Sequence, residues 1–174
     1  MEVSGILYEK GMRQMAELLK IAEQVVEKLK EKGLFITTME SCTGGGVVNY
    51  ITNVEGASEV MAGARVAYSC EEKIAMGVPG SVIKKHTVYS GETAVAMARA
   101  GVAAAVRADL GVGITGRLSF PDPDRKNRVF IAVVFGDSTK SAEVTFPAGY
   151  ERWKAKDDVI EKSLHLVLEV LQEL

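Results

Sequence analysis

The sequence has few of the features that mark several common protein classes. Its two cysteines, Cys42 and Cys70, are too few for a disulfide framework, and they form no CxxC pair of the kind that binds zinc. No apolar run reaches the roughly 18 residues of a membrane span, so we expect no membrane partner. The N-terminus lacks the basic and then apolar segments of a secretory signal, which favours the cytoplasm.

Charge of either sign is not in excess. Lysine and arginine number 21 and aspartate and glutamate 23, which gives a net charge of -2. Nucleic-acid binders usually carry a basic excess or stripe, so we expect no nucleic-acid partner. Hydrophobic residues make up 47% of the 174 residues, enough for a buried core. We expect one domain over residues 1–174, with residues 1–33 as an additional N-terminal helix region.

The spacing of apolar residues predicts alternating helices and strands. Steps of three and four predict a helix over residues 12–32, and Ser90 is placed to cap another helix that runs to about Arg107. We expect strands at 34–40, 60–68, 109–114, 128–135 and 141–146. Residues 128–135 are almost wholly apolar, which predicts a central strand. This order predicts a three-layer α/β fold with a mostly parallel sheet and one antiparallel strand.

A glycine-rich turn follows the first predicted strand, in the stretch Met39–Gly46. Ser41, Cys42 and Thr43 precede three consecutive glycines, and the following residues predict a helix. Glycine lets the backbone approach a ligand, and free N–H groups at a helix start attract an anion. The alternative is an ordinary strand-to-helix turn in which Ser41 or Thr43 only caps the helix.

Three predicted strands end at polar side chains. They end at Ser41, at Tyr68 and at Thr115, and Lys73 lies one helical turn beyond Tyr68. In open α/β sheets ligands bind beyond the carboxyl ends of the strands. If these strands are parallel neighbours, the side chains meet at one edge of the sheet, which predicts a site there.

A hydroxyl becomes a useful nucleophile only beside a group that takes its proton. Lys73 can serve if burial lowers its pKa, although a lysine after two glutamates is also typical of a solvated ion pair. His86 lies in a loop as a second possible base. Cys42 is a rival nucleophile, because a thiol at a helix start tends toward the thiolate.

The motifs of this chain, taken together, resemble those of the CinA C-terminal domain family, which includes the nicotinamide mononucleotide deamidases. The resemblance runs from about Ala22 onward. It rests on Met39-Glu40-Ser41-Cys42-Thr43-Gly44-Gly45, Gly56-Ala57-Ser58, Val66-Ala67-Tyr68-Ser69 with Lys73, Gly77-Val78-Pro79 and Gly113-Ile114-Thr115-Gly116.

The resemblance implies a three-layer α/β/α sandwich with a mixed, mostly parallel five-stranded sheet, commonly in a homodimer. It implies hydrolysis of the carboxamide of nicotinamide mononucleotide to nicotinic acid mononucleotide and ammonia, a step in recycling the pyridine nucleotide NAD. The substrate is then a small-molecule nucleotide, and neither a metal nor a cofactor is needed. Many relatives carry a further N-terminal nucleotide-processing domain, which we do not expect here.

The resemblance also assigns roles to individual residues. Ser41 would be the nucleophile and Lys73 its general base, while Tyr68 would orient the lysine or relay the proton. The implied substrate-binding residues are Thr43, Gly44 and Gly45, which would line the pocket and hold the developing oxyanion or the phosphate, and Thr115 and Gly116, which would form the opposite wall.

The loop from Arg117 to Asn127 departs from the family pattern, because bulky and charged residues replace the usual glycines. Position 70, usually asparagine, is Cys70. An alternative function follows, in which the protein has lost or changed its activity and acts as a nucleotide-binding, structural or regulatory protein. The basic residues Arg117, Arg125 and Arg128 either bind a phosphate or form ion pairs with Asp122 and Asp124 in a solvated loop. Arg152 is a further candidate for binding a phosphate.

Overall fold

The sheet contains five strands and separates two layers of helices. In this computed structural model the backbone is described for residues 2–119 and 127–174, and side chains from residue 11 onward. The strands are β1 (Ile36–Glu40), β2 (Met61–Val66), β3 (Leu110–Gly116), β4 (Asn127–Phe135) and β5 (Ser138–Phe146). The helices are α1 (Glu2–Lys32), α2 (Gly46–Thr52), α3 (Cys70–Ala75), α4 (Gly80–His86), α5 (Gly91–Ala104) and α6 (Arg152–Glu173).

The strand order is β2-β1-β3-β4-β5. Strand β1 pairs in parallel with both β2 and β3, whereas β4 runs antiparallel to β3 and to β5. The predicted three-layer fold with a mixed, mostly parallel five-stranded sheet is therefore confirmed. The carboxyl ends of β1, β2 and β3 meet at one edge of this sheet, as the sequence indicated.

The two faces of the sheet carry cores of different size. Helices α1, α2 and α6 cover one face over a large apolar cluster that includes Leu18, Val112 and Leu164. Helix α5 covers the other face over a small cluster that includes Met39 and Met97. No helix in the described part of the chain is long and apolar enough to cross a membrane.

Most element boundaries lie near the predicted ones. Helix α5 begins after Ser90, whose hydroxyl accepts the Thr93 N–H at 3.1 Å, so the predicted cap is confirmed. The helix ends at Ala104, before the predicted Arg107. Helix α1 begins ten residues earlier than its apolar stripe indicated, at Glu2. That residues 1–174 form one domain with residues 1–33 as an addition stays a prediction.

Helix α5 lies unusually close to β3 because the strand presents glycines to it. A Cβ on Gly113 would overlap the carbonyl oxygen of Ala94, and a Cβ on Gly111 would overlap that of Ala98. This contact sets the distance between α5 and the sheet. It therefore also positions the loop before α5 at the carboxyl end of β3.

We predict that Gly113→Ala lowers the free energy of unfolding by about 1–3 kcal/mol, because the added methyl group must displace the α5 backbone. Urea unfolding measures the change. Gly11→Ala is the matched control, since its Cβ meets nothing within 4 Å and alanine favours a helix. Equal stabilities for the two variants would contradict the close packing.

Candidate active site

Ser41 begins the turn that joins β1 to α2. Strand β1 is buried along its whole length, and Ser41 directly follows it. The Gly44 N–H donates to the Ser41 carbonyl oxygen at 3.0 Å, which closes the turn. Gly44 and Gly45 have φ angles of +63° and +89°, a left-handed conformation that side-chain-bearing residues rarely adopt. The sharp reversal of the chain therefore explains why glycine occupies these two positions.

Glu40, the residue before Ser41, anchors this turn from inside. Its side chain is fully buried. It accepts hydrogen bonds from the Thr43 hydroxyl at 2.7 Å and from the Thr38 hydroxyl at 3.2 Å. It also accepts hydrogen bonds from the N–H groups of the second and third residues of α2, Val47 at 3.1 Å and Val48 at 3.0 Å. These N–H groups are thus occupied, and the expectation that the helix start offers them to a ligand anion is wrong.

Lys73 reaches Ser41 from α3. The Ser69 hydroxyl caps this helix by accepting the Glu72 N–H at 3.0 Å, which fixes where the helix begins. One turn later the Lys73 side chain is 1% exposed. Its Nζ lies 3.0 Å from Ser41 Oγ and 2.7 Å from the Ala67 carbonyl oxygen, with the Tyr68 carbonyl oxygen at 3.5 Å. The alternative of a solvated, ion-paired lysine does not hold.

Burial lowers the pKa of Lys73 below its ordinary value, because the charged ammonium loses its hydration. A neutral amine has two N–H donors and one lone pair. These match two carbonyl acceptors, those of Ala67 and Tyr68, and one hydroxyl donor, that of Ser41. The geometry therefore accommodates a lysine that accepts the Ser41 proton.

Cys42 does not have the properties of a nucleophile. The thiol is buried, and burial raises the pKa of Cys42 to about 12. A thiol with that pKa is protonated at neutral pH and therefore unreactive. Cys70, the first residue of α3, is half-buried beside the same site.

A cavity of about 290 Å³ opens over Ser41 and Lys73. Small-ligand pockets run from about 300 to 1,000 Å³, so it accommodates a compact ligand or the reacting end of a nucleotide. Tyr68 and Gly116, both singled out by sequence, line it. Its other lining residues are Cys42, Ser69, Cys70, Val88, Tyr89, Arg117, Leu118 and Arg152.

Two of the predicted substrate-binding hydroxyls point elsewhere. The Thr43 hydroxyl donates to Glu40, as described above. Thr115 is fully buried, and its hydroxyl donates to the Val88 carbonyl oxygen at 2.8 Å. Thr115 thus ties the loop before α5 to the end of β3. Neither these threonines nor Gly44 and Gly45 line the cavity.

Two arginines stand at the cavity, each beside an aromatic ring. Arg152, the first residue of α6, donates to the Tyr68 hydroxyl at 3.0 Å, and Tyr68 is 64% exposed. The Arg117 guanidinium lies 4.8 Å from the centre of the Tyr89 ring. Sequence reasoning gave no role to Tyr89, because a tyrosine in a loop between two helices has no distinguishing pattern.

Of the remaining basic candidates, Arg128 and His86 do not join the site. Arg128 pairs with Glu143 on the neighbouring strand at 3.2 Å, and Arg125 lies outside the described residues, as does most of the loop from Arg117 to Asn127. His86 pairs with Glu92 at 3.2 Å and does not line the cavity. Among the described residues no cluster of three or more His, Cys, Asp and Glu side chains is arranged to hold a metal ion.

Comparisons with known proteins agree on one family. The model of the CinA C-terminal domain matches residues 18–172. The nicotinamide-nucleotide amidohydrolase PncC of Escherichia coli (strain K12) is 37% identical over 129 residues, which cover 74% of this chain and 77% of that protein. A relative from Caldicellulosiruptor bescii is 32% identical over 84% of this chain, but the chain spans only 36% of that longer protein.

Solved structures share the fold at lower identity. The competence/damage inducible protein CihA of Agrobacterium tumefaciens superposes with a TM-score of 0.80 at 23% identity, covering 89% of this chain and 95% of that one. A CinA superfamily protein of Escherichia coli also gives 0.80, at 19% identity, covering 88% and 90%.

We predict that Glu40→Gln lowers the free energy of unfolding by about 1–3 kcal/mol, because the new amide NH₂ group faces N–H and O–H donors and cannot accept their hydrogen bonds. Hydrogen exchange at the Val47 and Val48 amides should accelerate as well. Glu55→Gln, at an exposed position, is the control and should change neither quantity. Unchanged exchange in Glu40→Gln would contradict the anchoring role.

A second prediction concerns pH. At pH values between the lowered pKa of Lys73 in the folded protein and its ordinary pKa in the unfolded chain, the Lys73 amine is protonated only in the unfolded state. The contribution of Lys73 to stability should therefore rise with pH across this interval, by about 1.4 kcal/mol for each unit of pKa difference. Burial raises the pKa of Cys42, which has the opposite effect on stability at alkaline pH but is common to both proteins. The stability of the unmodified protein relative to Lys73→Met should therefore rise across the interval. Urea unfolding of both proteins at several alkaline pH values gives the comparison, and parallel curves would contradict a lowered pKa.

Proposed function

Because the chain belongs to the CinA C-terminal domain family, we propose that it is an amidohydrolase that converts nicotinamide mononucleotide to nicotinic acid mononucleotide and ammonia. One observation supports this above the others: a buried lysine with a lowered pKa lies 3.0 Å from Ser41 at the floor of a cavity. The name of the Escherichia coli relative indicates the substrate class.

In the first half of the reaction Lys73 acts as general base. Its amine takes the Ser41 proton, and Oγ attacks the carboxamide carbon to form a tetrahedral intermediate. The Lys73 ammonium then returns the proton to the leaving nitrogen, which departs as ammonia. Ser41 is left as an ester of the pyridine carboxylate.

The second half repeats these steps with water. Lys73 takes a proton from a water molecule, whose oxygen attacks the ester carbon, and the proton passes to Ser41 Oγ as the ester bond breaks. The product is the carboxylic acid, and the serine and the amine return to their starting states. The overall balance is one amide and one water giving one acid and one ammonia.

Side chains at the cavity supply the substrate contacts. We assign the nucleotide phosphate to Arg152 and Arg117, since guanidinium groups bind phosphate oxygens in pairs of hydrogen bonds. The exposed rings of Tyr68 and Tyr89 offer flat surfaces for the pyridine and ribose. We assign Gly116, which lines the cavity, to the wall of the substrate site. Thr43, Gly44, Gly45 and Thr115 then act by holding the turn and the wall in place.

Tyr68 has a narrower role in this proposal than a proton relay. Its hydroxyl bonds Arg152, while its carbonyl oxygen faces Lys73. It therefore orients the arginine with its side chain and the lysine with its backbone. We further propose that the protein is a cytoplasmic homodimer that needs neither metal nor cofactor, and that it serves NAD recycling.

We predict that the purified protein releases ammonia from nicotinamide mononucleotide and that Ser41→Ala lowers the rate at least about 10³-fold, as loss of a nucleophile does. Cys42→Ala is the matched control at the next position. It should keep most of the activity, because the protonated thiol takes no part.

The outcomes separate the alternatives. Activity that survives in Ser41→Ala but vanishes in Cys42→Ala would identify the thiol as the nucleophile and contradict our assignment. If no variant turns over, a rise in melting temperature with the nucleotide would favour the binding or regulatory function. Activity should also fall at low pH as Lys73 becomes protonated, since an ammonium accepts no proton.

A further inference from the structure

Lys156, in the second turn of α6, lies against the glycine turn that carries Ser41. Its Cε is 3.6 Å from the position that a Cβ on Gly46 would take, and its Nζ is 3.6 Å from the position that a Cβ on Gly44 would take. The end of the side chain therefore passes along the turn and brings the amino group to Gly44. A side chain at position 44 would contact this amino group, so the glycine leaves the space beside the turn to the lysine.

The amino group of Lys156 is thereby placed close to the nucleophile. The Gly44 N–H donates to the Ser41 carbonyl oxygen at 3.0 Å, and residues that close a turn in this way have Cα atoms within about 7 Å of each other. Arg152 lies four residues before Lys156, so the two side chains share one face of α6. Arg152 lines the cavity. Lys156 does not line it and therefore lies beside the cavity, next to the turn.

The charge of Lys156 has no counter-ion held against it. Within the described part of the chain its amino group forms no hydrogen bond or ion pair. Its charge acts on the carboxyl group of Asp157, the next residue, but the two form no ion pair. By contrast, Lys162 on the same helix pairs with Glu169 at 3.5 Å. Because Lys156 is half-buried against the turn, its charge is held in place and is available to an anionic ligand.

We infer that Lys156, together with Arg152, binds the phosphate group of the substrate and makes the site selective for a nucleotide over the corresponding nucleoside. In the mononucleotide a pyridine ring and a ribose separate the carboxamide from the phosphate. The turn separates Ser41 from the Lys156 amino group by a length of the same order. A guanidinium and an ammonium on one helix face can each bond a different oxygen of one phosphate. This inference rests on the proposed function, to which it adds a residue that selects the substrate.

A change of charge at position 156 tests the inference. Lys156→Met keeps most of the length of the side chain and removes the amino group. We expect it to lower kcat/KM for nicotinamide mononucleotide about 10- to 100-fold, the effect of losing one hydrogen bond to a charged group, chiefly by raising KM. Activity on nicotinamide riboside, which has no phosphate, should not change. Lys156→Arg keeps a charge at this position and should retain most of the activity on the nucleotide.

Lys154→Met is the matched control, because it makes the same change of charge on the same helix. The Lys154 amino group lies 5.2 Å from the centre of the Tyr150 ring, and we expect its loss to leave both activities unchanged. An equal fall in kcat/KM on the mononucleotide and the riboside would show that Lys156 acts through structure and would overturn the inference. An equal loss of selectivity in Lys154→Met would overturn it as well, because the effect would then come from net charge.

Calorimetric titration separates this inference from the proposed function. The unmodified protein should bind nicotinic acid mononucleotide more tightly than Lys156→Met does, whereas the two should not differ in their affinity for nicotinic acid riboside. That pattern without any ammonia release would support the phosphate contact and count against the amidase. Ammonia release with equal affinities in the two proteins would keep the amidase and overturn the role of Lys156. A protein that binds neither ligand would overturn the role of Lys156 too.

Discussion

The burial of the Lys73 amine is the constraint around which the site is built. An amine in this position must find partners for all its hydrogen-bonding groups among protein atoms, and it finds them on two other chain segments. Ser41 lies at the end of β1, the two carbonyl oxygens lie just after β2, and the lysine itself comes from α3. The desolvation that lowers the pKa of Lys73 is also what suits the amine to take a proton from a hydroxyl.

The Ser41 turn depends on a second buried group, Glu40. Its carboxyl group accepts four hydrogen bonds, two of them from N–H groups in the first turn of α2. The serine is therefore held between the strand and a helix whose start is already occupied. In the proposed function the phosphate is therefore bound by side chains, and the guanidinium groups of Arg117 and Arg152 line the cavity.

The far wall of the cavity is positioned through β3. The glycines of this strand bring α5 close to the sheet, and the Thr115 hydroxyl holds the Val88 carbonyl oxygen. The loop that carries Val88 and Tyr89 is thereby fixed over the carboxyl end of the strand. Residues that do not line the cavity thus position its far wall.

Sequence alone determined the order of the elements and the meeting of Ser41 and Lys73 at one edge of the sheet. Both follow from local patterns, because apolar spacing marks the elements and parallel strands bring their ends together. Only the tertiary structure decided three other features. These are the burial of Lys73, the direction of the Thr43 and Thr115 hydroxyls, and the hydrogen bonds of Glu40 at the start of α2. Each depends on groups distant in the chain or on a side-chain direction, and a pattern along the sequence encodes neither the desolvation of an amine nor the partner of a hydroxyl.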